Sequence, residues 1–371
     1  MTKLCFLTAG ESHGPCLTAI VEGLPAGLAI DVSAINRDLA RRQGGYGRGG
    51  RMKIERDTVH VLSGVIDGKT IGAPLTLRID NRDWANWQDR WAAGAGSDEL
   101  PRLTVPRPGH ADYAGMVKYG LDDARPILER ASARETAARV AVGAVAKALL
   151  AQFNISVQSY VLEIGGVTAN IPDLPPAGLH SLAEQSDVRC PDEIAAAQMR
   201  AVIDRAKKDG DSLGGVIVVV AQGAPIGLGS HAQWDRRLDA RLAMALISIP
   251  AIKGVEIGPA FENAKLSGTQ VHDEFGPRAS RTSNRAGGIE GGMSNGQPIV
   301  LRAAMKPIPT TITPRHSVDL ATGRPAMTQY QRSDVCAVPA ASIVGEAMVA
   351  WTLADALVEK LGGDSIAEMK R

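Results

Sequence analysis

One segment constrains this chain more than any other. It runs from Gly44 to Arg51 with the sequence GGYGRGGR, and it contains five glycines and two arginines. Glycine adopts backbone conformations with positive φ and lets the main chain approach a ligand closely. Consecutive N–H groups in such a loop form a concave anion site, and guanidinium groups match the geometry of phosphate and carboxylate. The segment therefore predicts a loop that closes over a small polyanion.

Regular structure is expected on both sides of this loop. Ser33 begins a predicted helix over 34–43 that Gly44 ends, and 52–54 and 58–62 alternate like short strands. A disordered Arg-Gly segment that binds RNA through its charge is the alternative. Because a globular chain surrounds the loop and low-complexity tracts are usually longer, a ligand-binding lid is favoured.

The composition restricts the functional classes. The 371 residues include 41 Lys+Arg and 40 Asp+Glu, so attraction to nucleic acid or membrane must arise from local charge. No apolar run approaches the roughly 20 residues of a membrane span, and the N-terminus lacks a secretory signal. The four cysteines show neither CxxC nor zinc-site spacing, which favours a reducing compartment. We expect a cytoplasmic protein with neither nucleic acid nor membrane as a partner, and no metal site.

Two segments match the G-x-S-x-G pattern of the serine nucleophile in α/β-hydrolases. They are GESHG over 10–14 and GDSLG over 210–214. Neither has the required strand–turn–helix context, because predicted strands follow both of them, at 17–21 and 216–221. A serine hydrolase acting through Ser12 or Ser212 therefore stays an alternative with little support.

Two further segments combine arginine with groups that exchange protons or bind anions. In RPGHAD over 107–112, a Pro-Gly turn precedes His110, so an arginine lies three residues before an imidazole. Ser132 and Glu135 match a capping box at the start of a predicted helix, whose apolar residues extend to 149. Arg130 and Arg134 flank this helix N-terminus, which predicts a second anion site.

The C-terminal third contains a second concentration of glycine, over 283–296, without a dinucleotide-binding fingerprint after a strand. Asn and Ser among these glycines suit hydrogen bonds to a flat heterocycle. Lysine and threonine in 306–310, on a turn stiffened by proline, suit a phosphate. The segment 332–334 places Arg332 two residues before Asp334. A final helix is predicted over 340–361, ending at two glycines.

Taken together, these blocks resemble the chorismate synthase family along essentially the whole chain. The matching blocks are GESHGP (10–15), RRQGGYGR (41–48), RPGHAD (107–112), SARET (132–136), GGIEGG (287–292) and RSD (332–334). The resemblance implies an α+β sandwich of antiparallel sheets and helices with an internal duplication, in one domain over 1–371. It also implies a homotetramer.

The resemblance implies a carbon–oxygen lyase. Its reaction is the anti-1,4-elimination of phosphate and a ring proton from 5-enolpyruvylshikimate 3-phosphate, giving chorismate at the end of the shikimate pathway to the aromatic amino acids. The family requires reduced FMN without net redox change. Because no separate flavin reductase domain is expected here, we predict that a partner reductase supplies the reduced FMN, rather than oxidation of NADPH by this chain.

Residue roles follow from the matching blocks. As catalytic residues the resemblance implies His13 as an acid for the departing phosphate, His110 as a proton donor to reduced flavin, and Asp334 as an aid in taking the ring proton. The implied substrate-binding residues are Arg42, Arg48, Arg51, Arg107 and Arg134. The implied FMN-binding residues are Arg130, Ala131, Ser132, Pro250, Ala251, Gly291, Lys306, Pro307, Ile308, Pro309, Thr310 and Arg332. The chain departs from the family in having Pro250 where an amide side chain is common and Ala131 where serine is common, so a slightly altered flavin pocket is expected.

Overall fold

A computed structural model describes residues 4–50, 55–94, 96–331 and 333–371. The strands are β1 (Cys5–Ala9), β2 (Cys16–Glu22), β3 (Val59–Ser63), β4 (Val65–Ile66), β5 (Lys69–Thr70), β6 (Leu75–Asp80), β7 (Ser156–Ile164), β8 (Val167–Thr168), β9 (Gly215–Gln222), β10 (Ile252–Ile257), β11 (Ile289–Glu290), β12 (Met293–Ser294), β13 (Ile299–Met305), β14 (His316–Asp319) and β15 (Arg324–Met327). The α-helices are α1 (Val32–Gln43), α2 (Gln88–Ala93), α3 (Asp112–Tyr119), α4 (Arg125–Ala131), α5 (Thr136–Ala151), α6 (Pro176–Gln185), α7 (Glu193–Asp209), α8 (Leu238–Ile247), α9 (Ala260–Asn263), α10 (Gly268–Val271), α11 (Val338–Leu361) and α12 (Ile366–Met369).

The same antiparallel unit occurs twice along the chain. In the first half the strand order is β1-β2-β6-β3, with α1 between β2 and β3 and α5 after β6. In the second half the order is β7-β9-β13-β10, with α8 between β9 and β10 and α11 after β13. The second sheet adds β8 at its edge, and α6 and α7 lie between β7 and β9. This topology confirms the predicted α+β fold with antiparallel sheets and an internal duplication.

The helices of both halves lie between the two sheets. In β2, Leu17, Ala19 and Val21 are buried while Ile20 points outward, as the two-residue period of a strand requires. Helices α1 and α5 pack on the first sheet, α8 and α11 pack on the second, and α5 crosses α11 at the centre. Buried side chains from both halves form one continuous hydrophobic cluster. The two halves therefore share a core.

Most elements lie where the sequence predicts them, but helix starts differ. Helix α1 begins at Val32, because Asp31, rather than Ser33, is the N-cap and accepts a hydrogen bond from the backbone of Ser33 at 2.8 Å. The final helix, predicted over 340–361, begins two residues earlier, at Val338. The strand predicted at 52–54 lies outside the described residues.

Helix α11 is the most apolar helix in the described part of the chain. Within that part it alone is long and apolar enough to cross a bilayer, but almost all of its apolar stretch is buried inside the protein. It packs against α5, α8 and the second sheet. Its composition therefore reflects its place in the core.

The crossing of α5 and α11 depends on a glycine. A Cβ added to Gly143 would lie 2.3 Å from the Cβ and 2.4 Å from the Cα of Ala347. Such distances are well inside van der Waals contact. The Cα and Cβ of Ala347 are fixed by the backbone of α11, so no side-chain rotation can move them away. The two central helices approach this closely only because residue 143 has no side chain.

A buried ionic network joins the halves beside this crossing. Glu346 of α11 accepts two hydrogen bonds from Arg41, both at 2.9 Å, one from Lys147 at 2.6 Å and one from Ser159 at 2.7 Å. Arg189 lies 3.4 Å from the same carboxylate. Burial by itself would raise the pKa of Glu346, but Lys147 and Arg41 outweigh it and hold that pKa well below its usual range.

His180 and Glu184 lie at the outer end of this network. By distance alone they could surround a metal ion together with Glu346. Arg41 and Arg189, however, already contact Glu184 at 2.6 and 2.5 Å, and both also face Glu346. A cation placed among these guanidinium groups would be repelled, so the cluster is a salt-bridge network.

We predict that Glu346→Gln lowers the free energy of unfolding by about 3–5 kcal/mol at pH 7, because Arg41, Lys147 and Arg189 lose the buried carboxylate that they share. The folded pKa of Glu346 is depressed, so its contribution is complete above the ordinary value near 4.5 and is lost as pH falls below it. Urea unfolding should therefore show a difference between variant and wild type that narrows below about pH 4.5. Glu359→Gln on the same helix, where the glutamate is more exposed and pairs with Arg241, is the control and should cost less than about 1 kcal/mol. Equal losses for the two variants would contradict this prediction.

We also predict that Gly143→Ala lowers the free energy of unfolding by about 1–3 kcal/mol, because the helices must separate to admit the methyl group. Gly178→Ala in α6 is the matched control. Its added Cβ meets Leu174 at an ordinary 3.5 Å, and alanine is favoured over glycine within a helix by roughly 0.5–1 kcal/mol. Urea unfolding that finds Gly143→Ala as stable as Gly178→Ala would refute the close crossing.

Candidate active site

A cavity of about 740 Å³ lies between the two halves of the fold. Its walls come from the turn between β1 and β2, the glycine-rich loop after α1, the junction of α4 and α5, the start of β10, the segment after β13 and the start of α11. The predicted site residues that line it are His13, Arg42, Arg48, Arg107, His110, Arg130, Ala131, Ser132, Arg134, Pro250, Ala251, Lys306, Ile308, Pro309, Thr310 and Asp334. Residues distant in sequence therefore share one site.

Two predicted site residues that the structure describes are absent from this lining, and two others cannot be placed. Gly291 occupies the turn between β11 and β12, and Pro307 lies between two residues that do line the cavity. Arg51 and Arg332 lie outside the described residues. The roles predicted for these four stay predictions.

His13 is held by a glutamate from α4. The Nδ1 atom of His13 lies 2.8 Å from Oε1 of Glu129, and the backbone N–H of His13 donates to Oε2 at 2.7 Å. The imidazole ring lies over Trp87, with ring centroids 4.2 Å apart. Since the main chain, Nδ1 and one ring face are all in contact, the position of this imidazole is well defined.

His110 and Arg107 share one carboxylate. Nδ1 of His110 lies 2.5 Å from Oδ1 of Asp112, while Arg107 donates to Asp112 through Nε at 2.8 Å and Nη2 at 3.0 Å. Burial would raise the pKa of Asp112, but hydrogen bonds from His110 and Arg107 outweigh it and keep the pKa well below its usual range. Arg107 also donates to Thr310 at 3.0 Å. The Arg107 guanidinium therefore fixes the Asp112 and Thr310 side chains in addition to lining the cavity.

Arg42 and Arg134 are buried side by side. Arg134 donates to Asp57 at 2.6 Å and to Asn81 at 2.8 Å. Arg42 donates to Thr136 at 2.9 Å, but among the described residues its buried Nη1 has no hydrogen-bond acceptor and lies 3.6 Å from Asp57. Burial lowers the pKa of Arg42 to about 9, with Arg134 and Arg48 adding to the effect and Asp57 opposing it. An anion in the cavity would relieve this cost.

The capping box predicted at the start of α5 is wrong in its details. Ser132 accepts a hydrogen bond from the backbone of Arg134 at 3.3 Å, but it caps a 3₁₀ turn over Ala133–Glu135 that precedes α5. The Glu135 carboxylate accepts hydrogen bonds from Thr8 and Arg139 instead of returning to Ser132. The irregular junction of α4 and α5 turns the main chain toward the cavity, which an uninterrupted helix would not do.

The glycine-rich loop is fixed to the segment that precedes α11. Asp334 accepts hydrogen bonds from Nη1 of Arg48 and from the backbone N–H of Gly49, both at 2.6 Å. The carbonyl oxygen of Gly47 accepts from the backbone of Val335 at 2.9 Å. A Cβ on Gly49 would lie 2.6 Å from the carbonyl oxygen of Ser333, so this contact requires glycine. The loop therefore positions Asp334 at the cavity wall.

Both serines of the G-x-S-x-G matches are structural. Ser12 is buried in the turn between antiparallel strands β1 and β2, and its hydroxyl accepts a hydrogen bond from Ser132 at 3.0 Å. Ser212 donates to the carbonyl oxygen of Ile308 at 2.6 Å. Neither turn connects a strand to a helix as a nucleophile elbow does. The arrangement therefore gives no support to a serine hydrolase.

Several residues that contact the site or its histidines were not predicted, and Asp112, Glu129, Trp87 and Arg139 are the ones whose contacts bear on its chemistry. Asp112 lies within the RPGHAD block, and a carboxylate two residues after His110 could have indicated that the two side chains pair. Glu129 and Trp87 contact His13 from distant positions in the sequence, and Arg139 lines the cavity from α5. No local pattern indicates that these three meet the site, because only the folded chain brings them together.

Comparisons with known proteins agree with this architecture. The sequence model of the family described as chorismate synthase matches residues 4–358. The chain belongs to the chorismate synthase family. It is 57% identical to the chorismate synthase of Geobacter sulfurreducens over 380 aligned positions, which cover 99% of this chain and 97% of that protein. The chorismate synthase of Desulforudis audaxviator is also 57% identical, with 99% and 95% covered.

A solved structure supports the family assignment. A crystal structure of a chorismate synthase superimposes with a TM-score of 0.79 at 46% sequence identity, and the match covers 99% of this chain and 95% of that one. The resemblance found in the sequence blocks is thereby confirmed at the level of the family and the fold.

We predict that Gly49→Ala lowers the turnover number in a chorismate synthase assay by about 100-fold, because the added methyl group displaces the segment carrying Asp334 by a few tenths of an ångström or more. Gly50→Ala is the matched control, since its added Cβ has no atom of a described residue within 4 Å. Both variants should unfold at similar urea concentrations. Equal turnover in the two variants would show that the approach of Gly49 to Ser333 is not required.

Proposed function

We propose that this chain catalyses the anti-1,4-elimination of phosphate and a ring proton from 5-enolpyruvylshikimate 3-phosphate to give chorismate, with reduced FMN as cofactor. The observation that carries the proposal is the cavity between the halves, where two histidines and a carboxylate lie among several arginines. Membership of the chorismate synthase family supports the same reaction.

The charge of the proposed substrate fits the arginines. It carries a phosphate and two carboxylates, and arginine is the side chain best suited to bind either group through paired donors. Arg42 offers a buried Nη1 atom that lacks an acceptor within the described part of the protein. Burial lowers the pKa of Arg42 because it destabilises the charged guanidinium. A substrate anion bound beside it would offset that destabilisation. We assign to Arg42 the leading role in substrate binding, with Arg48, Arg107 and Arg134 around it.

The residues present also fit FMN. Ile249, Pro250, Ala251 and Met305 give one part of the cavity an apolar wall that accepts a flat heterocycle. Lys306 and Thr310 offer an ammonium group and a hydroxyl as donors to the phosphate of the cofactor, and the predicted residues between them, Pro307, Ile308 and Pro309, shape the turn that holds these donors. The cavity volume is within the range of sites that hold ligands of this size. When bound in reduced form, FMN supplies electron density transiently to the reacting ring.

Three side chains account for the protons of the elimination. His13 donates a proton to the phosphate as the carbon–oxygen bond breaks. Asp334 accepts the ring proton, and the electrons of the broken carbon–hydrogen bond become part of the new carbon–carbon double bond. His110, oriented through Nδ1 by Asp112, holds a proton for the reduced cofactor. Arg48 keeps the Asp334 carboxylate in place at 2.6 Å.

The remaining expectations form part of the same proposal. We propose a homotetramer in the cytoplasm, with a separate flavin reductase supplying the reduced FMN. An RNA-binding function for the glycine-rich loop has less support, because Gly47, Arg48 and Gly49 are engaged with the segment before α11. The Arg48 guanidinium held in this way lines the cavity and is not part of an extended basic surface.

An anaerobic assay tests the proposed reaction directly. Purified protein, chemically reduced FMN and 5-enolpyruvylshikimate 3-phosphate should release phosphate and form the chorismate diene in a one-to-one ratio. Oxidised FMN should support neither product. Absence of both products, with folded protein and bound flavin, would overturn the proposal, and turnover driven by NADPH in the dark without a reductase would overturn the assignment of a partner.

The same assay tests the role of Arg42. Arg42→Gln should raise the KM for the substrate at least about tenfold, equivalent to roughly 1.4 kcal/mol of lost binding. Arg37→Gln provides the control on the same helix, since Arg37 is exposed and pairs only loosely with Asp31 at 3.6 Å. A KM for Arg42→Gln equal to that of the control would remove Arg42 from the binding site.

A further inference from the structure

The carboxylate of Glu129 is completely buried and contacts His13, which lines the cavity. It accepts hydrogen bonds from two atoms of His13, the backbone N–H and Nδ1. Among the described residues, His13 is the one ionisable group with which this carboxylate pairs. A buried carboxylate is costly unless it is compensated, so the contact with His13 is where this cost is offset.

The surroundings of His13 leave the ring little freedom. The carbonyl oxygen of Glu129 accepts a hydrogen bond from the backbone of Ser12 at 3.2 Å, which attaches the turn between β1 and β2 to α4. Trp87 covers one face of the imidazole, and its own ring lies within 6.0 Å of the Arg125 guanidinium. Arg125 is in turn anchored to the carbonyl oxygen of Pro101 at 3.1 Å. The imidazole is therefore fixed in both position and plane.

The geometry also determines which ring nitrogen carries a proton. An ionised carboxylate can only accept hydrogen bonds, so a hydrogen bond at 2.8 Å requires a proton on Nδ1 of His13. The second nitrogen, Nε2, then becomes the atom through which a proton is gained or given up. A carboxylate at one nitrogen thus directs proton exchange to the other.

We propose that Glu129 is a positioning residue that keeps the Nδ1 proton of His13 in place, so that His13 exchanges its catalytic proton through Nε2. This inference rests on the proposed function, in which His13 donates a proton to the departing phosphate. When Nε2 gives its proton to the phosphate, His13 remains in the neutral form with the proton on Nδ1. A proton from water then restores the cation. These steps are proton transfers, and no group is oxidised or reduced in them.

The decisive variant is Glu129→Gln, which keeps the shape of the side chain. Its amide oxygen can still accept from the His13 backbone, while its NH₂ group then faces Nδ1 and favours the tautomer protonated on Nε2. We expect kcat for phosphate release to fall about 100-fold, as for other partners of a catalytic imidazole. The KM for 5-enolpyruvylshikimate 3-phosphate and the affinity for FMN should change by less than about threefold, because the Glu129 side chain is fully buried and is not part of the cavity lining.

A double-mutant cycle separates positioning from a general structural effect. In a His13→Ala background, Glu129→Gln should lower kcat by less than about twofold further, because the group that it orients is gone. Glu163→Gln, a partly exposed position whose carboxylate accepts from Thr168 at 3.1 Å, controls for the substitution itself and should retain wild-type kcat. A 100-fold loss that persists in the His13→Ala background would overturn the proposal.

A measurement on the resting protein decides the tautomer without any turnover. In protein labelled with ¹⁵N-histidine, we expect a hydrogen-bonded Nδ1 proton signal of His13 that is absent in His13→Ala and lost or displaced in Glu129→Gln. If Glu129→Gln does not fold, Glu129→Asp takes its place in the experiment. It retains a carboxylate and should therefore keep the signal. If the wild-type protein releases no phosphate while this signal is present, the proposed function fails and the histidine–glutamate pairing stands. If the signal is unchanged in Glu129→Gln, the pairing itself is refuted.

Discussion

The structure depends first on the buried carboxylate of Glu346. A charge at the centre of the core is stable only when cations and hydrogen-bond donors surround it, and here Arg41, Lys147, Arg189 and Ser159 do so. They come from α1, α5 and β7 and from the loop before α7, so a single group brings elements of both halves together. Arg41 directly precedes Arg42, so its contact with Glu346 also fixes the C-terminal end of α1. That end carries Arg42 into the cavity wall and leads into the glycine-rich loop.

The cavity follows from the close approach of the two halves. The helices α5 and α11 meet at Gly143 and Ala347 without room for another methyl group, and the walls of the site are formed where the two repeated units meet. At the opposite wall, Gly49 lies against Ser333, which allows the loop of the first half to hold Asp334 of the second. The site is therefore composite because it lies where the two repeated units meet, and each unit contributes part of its walls.

Within the site, both histidines and two of the arginines contact a buried carboxylate. Glu129 contacts His13, Asp112 contacts both His110 and Arg107, and Asp57 contacts Arg134. Such partners fix tautomers and side-chain orientation and leave little to reorganise when a ligand binds. Arg42 differs, because burial and neighbouring cations lower its pKa and its Nη1 has no acceptor in the described part of the chain. This cation is the one that gains most from an anionic substrate.

The sequence by itself determined the family, the fold class and most of the charged and titratable side chains that line the cavity. Blocks such as RPGHAD place turn-forming residues directly beside charged and titratable side chains. The strands and central helices show a clear period in the spacing of their apolar residues. The irregular start of α5 was not foreseen, because Ser132 and Glu135 form contacts across the fold that compete with the capping box. Only the tertiary structure decided which groups meet: Glu129 lies 116 positions from His13 and Glu346 lies 305 positions from Arg41. A pairing of buried charges over such separations depends on how whole helices pack, and no local pattern in the chain encodes it.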